Sequence, residues 1–238
     1  MIISPRLKFG FLRAPKTGTT TAEFMLRMTD VFTEDDIASG MPGMGQFPAL
    51  TVPCSRDMRL NNDPDWEKAA RFGPHMNLKV MIEELIPEVD IAQYDVYAYL
   101  RDPYQRFISS CGHLLHAHPD IDIIWDIAKS LGNGKEGVLF WPQSPYFKYN
   151  GKVVTQPLDF RAYESELRHM IDRVKGVQPP IIPRMNATGR ILKSVHTFED
   201  CWTEGAILAV ERHYAEDFEL YEQFFGKPPR PKPSRKHE

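Results

Sequence analysis

Apolar residues recur along the chain with two periods, one of strands and one of helices. Leu7-Lys8-Phe9-Gly10-Phe11-Leu12 is a short apolar-rich run closed by Arg13-Ala14-Pro15, and it predicts a buried strand. Lys16 to Thr20 form a glycine-containing turn, after which Ala22, Phe24, Met25, Leu26 and Met28 fall at helical spacing. Tyr94 to Leu100 predicts a second buried strand, followed at once by Arg101-Asp102-Pro103 and a helix over Tyr104–His116, with proline acceptable in its first turn. Helices are further predicted over Asn77–Ile86, Ile121–Leu131, Tyr163–Val174 and Thr203–Phe225, the last stopping at Gly226. Asn150-Gly151 predicts a tight hairpin within Tyr146–Val154, Leu158–Arg161 a third sheet strand, and Pro179–Pro183 an extended segment. Residues 30–74 carry turn clusters and read as loops, of the kind that serve as lids or binding surfaces. Strands alternating with helices predict an α/β fold: a single domain over residues 1–226, with a central, mostly parallel sheet flanked by helices.

Composition narrows the class. Hydrophobic residues make up 42% of the 238 residues, enough to offset the entropy of ordering a core. No apolar run approaches the roughly 18 residues of a membrane span, and the first residues lack the apolar core of a signal peptide, so a cytoplasmic, soluble protein is expected. The net charge of −3 argues against a dedicated nucleic-acid binder but leaves room for a local basic pocket. Cys54, Cys111 and Cys201 are widely spaced and read as free thiols in a reducing compartment, with no zinc pattern. Residues 227–238 hold four prolines and five basic residues against one acid, which predicts a disordered or extended tail.

Two motifs carry candidate chemistry. Pro15-Lys16-Thr17-Gly18-Thr19-Thr20 lies between a strand and a helix. Backbone N–H groups at a helix start converge on one point, and the helix dipole favours an anion there. Lys16 adds a full charge, the threonines add hydroxyls, and Gly18 lets the backbone approach. The order differs from the G-x-x-x-x-G-K-[ST] loop of kinases, with no hydroxyl after a terminal Gly-Lys to hold magnesium. In the second motif, Arg101 stands at the exit of a strand, where ligands of open α/β sheets bind, and Ser109 follows two helical turns into the next helix. A guanidinium grips phosphate bidentately, although Arg101 and Asp102 would also pair at a helix start.

Together the motifs resemble those of sulfotransferases that use 3′-phosphoadenosine-5′-phosphosulfate (PAPS), closest to the carbohydrate branch of the heparan sulfate 2-O- and chondroitin types. The resemblance implies a P-loop-like sulfotransferase fold. It also implies that Pro15–Thr20 bind the 5′-phosphosulfate and that Arg101 and Ser109 bind the 3′-phosphate. Looser echoes are Gly73-Pro74-His75, Pro142-Gln143-Ser144, Ile182–Thr188 and Tyr214–Phe218. The implied function is in-line transfer of a sulfuryl group from PAPS to an acceptor hydroxyl, expected on a saccharide, with no metal and no membrane or nucleic-acid partner. Lys16 would stabilise charge on the bridging oxygen. His75 is the favoured base, with Glu34, Asp35 and Asp36 in reserve.

Other polar groups leave alternatives open. His113, His116 and His118 cannot share one helical face and read as surface or core histidines. Gln143, Ser144 and Tyr146 would line an acceptor site or form an ordinary polar loop, and Arg184 and Asn186 would contact a ligand or be loop residues. A magnesium-dependent small-molecule kinase and a non-catalytic nucleotide-binding interaction protein are the alternatives to the sulfotransferase.

Overall fold

A computed structural model of the protein describes residues 2–4, 6–27, 37–39, 50–52, 75–85, 90–115, 121–133, 137–175 and 201–234. The chain divides into two compact units. The first comprises Met1–Ala14, Gly18–Tyr99 and Pro145–Pro183, and the second Pro15–Thr17, Leu100–Ser144 and Arg184–Glu238.

The first unit is built on a mixed sheet. Its strands are β1 (Ile2–Ser4), β2 (Phe9–Phe11), β3 (Ile37–Ser39), β4 (Leu50–Val52), β5 (Asp95–Leu100) and, after a small hairpin, β8 (Gln156–Asp159). The order across the sheet is β4-β3-β1-β2-β5-β8. β1 is antiparallel to both β2 and β3, while β2 pairs parallel with β5 and β3 with β4. Four strands therefore run one way and β1 runs against them. Helices α1 (Thr19–Arg27) and α5 (Tyr163–Lys175) cover the sheet. Ala22, Met25 and Leu26 from α1, and Leu167, Met170 and Ile171 from α5, share one core with Phe9, Phe11, Tyr97 and Tyr99. The helical turn α2 (Leu78–Val80) is capped by Asn77, whose side chain accepts from the Val80 N–H, and it widens into a π-helical turn over Met81–Leu85.

The hairpin of β6 (Lys148–Tyr149) and β7 (Lys152–Val153) turns on Asn150 and Gly151, both at positive φ (48° and 75°). That is the backbone a two-residue turn between right-twisted strands demands, and the reason for the Asn-Gly pair. β8 holds Pro157, which has no N–H for a ladder, and accordingly lies at the sheet edge.

The second unit is helical. Helices α3 (Pro103–Leu115), α4 (Ile121–Ser130), α6 (Glu204–His213) and α7 (Ala215–Phe225) enclose a core of Phe107, Cys111, Ile124, Phe140, Trp202, Ile207, Val210 and Tyr214. Asp102 caps α3 by accepting from the Tyr104 N–H at 2.8 Å. Residues 226–234 form neither helix nor strand. Within them Arg230 pairs with Glu204 and Glu211 of α6 at 2.5 and 2.8 Å, and the Ser234 N–H donates to the Trp202 carbonyl at 2.7 Å.

Three local expectations change. Residues 30–74, read as loops, contain β3 and β4, three-residue strands too short to show a period. The single helix expected over Thr203–Phe225 breaks at Tyr214 (φ −106°, ψ 27°), whose hydroxyl donates to the Phe140 carbonyl. The third strand begins at Gln156, and Phe160–Ala162 form a 3-10 turn capped by Asp159. Among the described residues no helix is long and apolar enough to cross a membrane.

Phe107 is fully buried, with its ring tilted against those of Phe140 and Trp202 at 6.0 and 5.6 Å. Phe107→Ala is expected to lower unfolding stability by about 3–5 kcal/mol, read from the urea denaturation midpoint at unchanged slope.

Candidate functional site

β2 and β5 are parallel neighbours, in register Phe11 to Tyr97, so their carboxyl ends lie at the same edge of the sheet. The chain leaves β2 into Arg13-Ala14-Pro15-Lys16 and leaves β5 into Arg101. In the second unit these two exits meet: the Arg101 guanidinium donates from Nη1 to the Lys16 carbonyl at 3.1 Å. Lys16 adopts φ 63°, a left-handed backbone uncommon outside glycine. Burial, and then the Arg101 charge, lower its ammonium from the ordinary lysine value to about 8. Arg101 is itself lowered to about 10, chiefly by burial, and stays cationic at neutral pH.

Arg101 is held by a residue that motif reading placed only in an echo. Gln143 is fully buried. Its Oε1 accepts from the Arg101 N–H at 3.0 Å and its Nε2 donates to the Arg101 carbonyl at 2.8 Å. The Gln143 and Ser144 N–H groups in turn donate to the Asp217 carboxylate at 2.7–2.9 Å. Arg106, the second arginine of the motif, is also fully buried, 3.9 Å from Asp217 and over the Tyr214 ring at 4.4 Å. Thus Arg101–Arg106, Pro142–Ser144 and Tyr214–Phe218, separated in sequence, converge in one unit. Only a shared resemblance had linked them beforehand, because contacts between distant segments leave no local spacing to read. Ser109 lies half-buried on α3.

In the first unit, Gly18 has φ 71° and precedes α1, which starts at Thr19. A Cβ at Gly18 would stand 2.8 Å from the Tyr163 ring, whose hydroxyl donates to the Gly18 carbonyl at 2.8 Å. Glycine is thus required here both for its backbone angle and for space. Tyr163 also stacks on Tyr99 at 4.6 Å, and the Tyr99 hydroxyl donates to the Tyr163 carbonyl. Pro15, Thr17 and Thr19 are buried and Thr20 is half-buried.

His75 stands 2.9 Å from the Arg13 carbonyl through Nδ1. A carbonyl only accepts, so Nδ1 carries the proton and Nε2 keeps its lone pair. Burial, then the charge of Arg13, depress the imidazole to about 4, so it is neutral at pH 7. Arg13 pairs with buried Glu23 at 2.6 Å, and the Tyr146 hydroxyl donates to the His75 carbonyl at 2.7 Å. Tyr146 therefore secures the His75 backbone. His113 is exposed on α3. Glu34, Asp35, Asp36, His116, His118, Arg184, Asn186 and Cys54 lie outside the described residues. Among the described residues no three His, Cys, Asp or Glu side chains gather as metal ligands.

Comparison with protein-family models, with curated proteins and with solved structures found no match.

The half-buried His75 makes stability depend on pH. Its folded-state pKa of about 4 lies below the ordinary 6.5, so between these values the unfolded chain binds the extra proton. Its contribution is fully present above pH 6.5 and is lost as pH falls toward 4. It should amount to about 3 kcal/mol across that window. The urea midpoint of wild type should therefore fall more steeply between pH 6.5 and 4 than that of His75→Asn.

Proposed function

We propose that the chain is a PAPS-dependent sulfotransferase acting on an acceptor hydroxyl, in keeping with the motif resemblance. The observation that carries this reading is the Arg101 guanidinium on the Lys16 carbonyl, which brings together two cationic residues from motifs 85 residues apart. Cations gathered at the exit of parallel strands suit a nucleotide that carries anionic groups at both its 5′ and 3′ positions.

The residues present fit that group. The loop from Lys16 to Gly18 carries two left-handed positions and leads into a nine-residue helix, whose first N–H groups favour an anion. These N–H groups and Lys16 would hold the 5′-phosphosulfate, and Arg101 and Ser109 the 3′-phosphate. The nucleotide supplies an activated sulfuryl group. Lys16 would neutralise charge on the oxygen that bridges phosphate and sulfuryl group when that group is transferred. His75, neutral and with Nε2 as acceptor, would take the proton of an acceptor hydroxyl. The acceptor is proposed to be a saccharide by the same resemblance.

Thermal-shift titration tests the reading. Adenosine 3′,5′-bisphosphate at 100 times its dissociation constant should stabilise the protein by about 2.7 kcal/mol, with no comparable effect from ATP and magnesium. Stabilisation by ATP–magnesium alone would point to a kinase, and no response to either to a binding module.

With labelled PAPS, kcat/KM should hold a plateau between limbs near pH 4 and pH 8. The acid limb is protonation of His75 and the basic limb is loss of the Lys16 charge. A profile without a fall above pH 8 would remove Lys16 from this role.

A further inference from the structure

We infer that Gln143 is the positioning residue for Arg101, a role that rests on the proposed anion site at Lys16 and Arg101. Arg101 stands one residue beyond the end of β5. Its N–H and carbonyl are nevertheless both occupied, by one side chain at 3.0 and 2.8 Å. This is the two-bond exchange that an opposing residue makes in a hydrogen-bonded antiparallel pair. The Gln143 carboxamide thus replaces a strand neighbour and fixes the backbone from which the Arg101 guanidinium reaches the Lys16 carbonyl.

Only a carboxamide of this length offers one donor and one acceptor in the required order. A glutamate would set a second acceptor against the Arg101 carbonyl, and a leucine would leave both backbone groups unsatisfied. The amide is in turn immobilised from behind. Asp217 accepts from the Gln143 and Ser144 N–H groups, and Arg106 faces the same carboxylate at 3.9 Å. Gln143 and Asp217 are fully buried, so the arrangement is part of the packed interior.

The test uses two readouts on the full chain. Hydrogen exchange at the Arg101 amide should be slow in wild type and at least about tenfold faster in Gln143→Leu, which removes the buried acceptor of this amide. In binding titrations, Gln143→Glu should weaken adenosine 3′,5′-bisphosphate about tenfold or more. Adenosine 5′-phosphate, which lacks the phosphate assigned to Arg101, should bind almost as to wild type. Equal weakening of both nucleotides in Gln143→Glu, or unchanged exchange at Arg101 in Gln143→Leu, would overturn the assignment. Wild type binding neither nucleotide would remove the proposed function, and the exchange arm would then decide the positioning role alone.

Discussion

Holding two cations together in a half-buried place is the constraint on which the second unit turns. Arg101 and Lys16 repel each other, and burial removes the water that would screen them. The guanidinium donates to the Lys16 carbonyl and the Asp102 charge favours its cationic form, while the Lys16 ammonium is depressed toward neutrality. Lys16 also holds a left-handed backbone without the freedom of glycine. Such features persist only where the surroundings over-determine them, and they cluster where a ligand repays the cost.

The surroundings here are specific. Asp217 receives main-chain N–H groups from Gln143 and Ser144 and faces Arg106, while Gln143 receives and donates at Arg101. Ser110 and Arg106 both donate to the Leu139 carbonyl, which ties α3 to the segment that carries Gln143. A buried polar network of this kind adds less to stability than to uniqueness, because any alternative packing would leave several of its groups unsatisfied. Aromatic packing around Tyr104, Phe107, Tyr214 and Trp202 supplies the apolar part of the stability.

The first unit solves a different problem. It must present a helix start to a loop that contains Gly18, and it does so by packing Tyr163 against the space where a side chain would stand. The same unit keeps an imidazole neutral by burial beside Arg13 and fixes its tautomer through a backbone carbonyl. An exposed histidine would titrate near neutrality and have no fixed tautomer.

Legible in the chain itself were the elements whose cause is local. Strand β5, the Asn-Gly hairpin, the stop at Gly226 and a helix following Arg101-Asp102-Pro103 follow from apolar period and turn chemistry, which act over a few residues. So were the residue types suited to anions, since Lys16, Gly18 and Arg101 stand at strand exits. The tertiary structure alone decided that β1 runs against its neighbours and that three-residue strands at Ile37 and Leu50 join the sheet, because pairing partners are chosen across the chain. It alone turned Arg106, Gln143 and Asp217 into the support of Arg101. Their bonds span up to 111 residues between Arg106 and Asp217, a separation over which spacing carries no information and only packing brings the groups within hydrogen-bonding or ion-pairing reach.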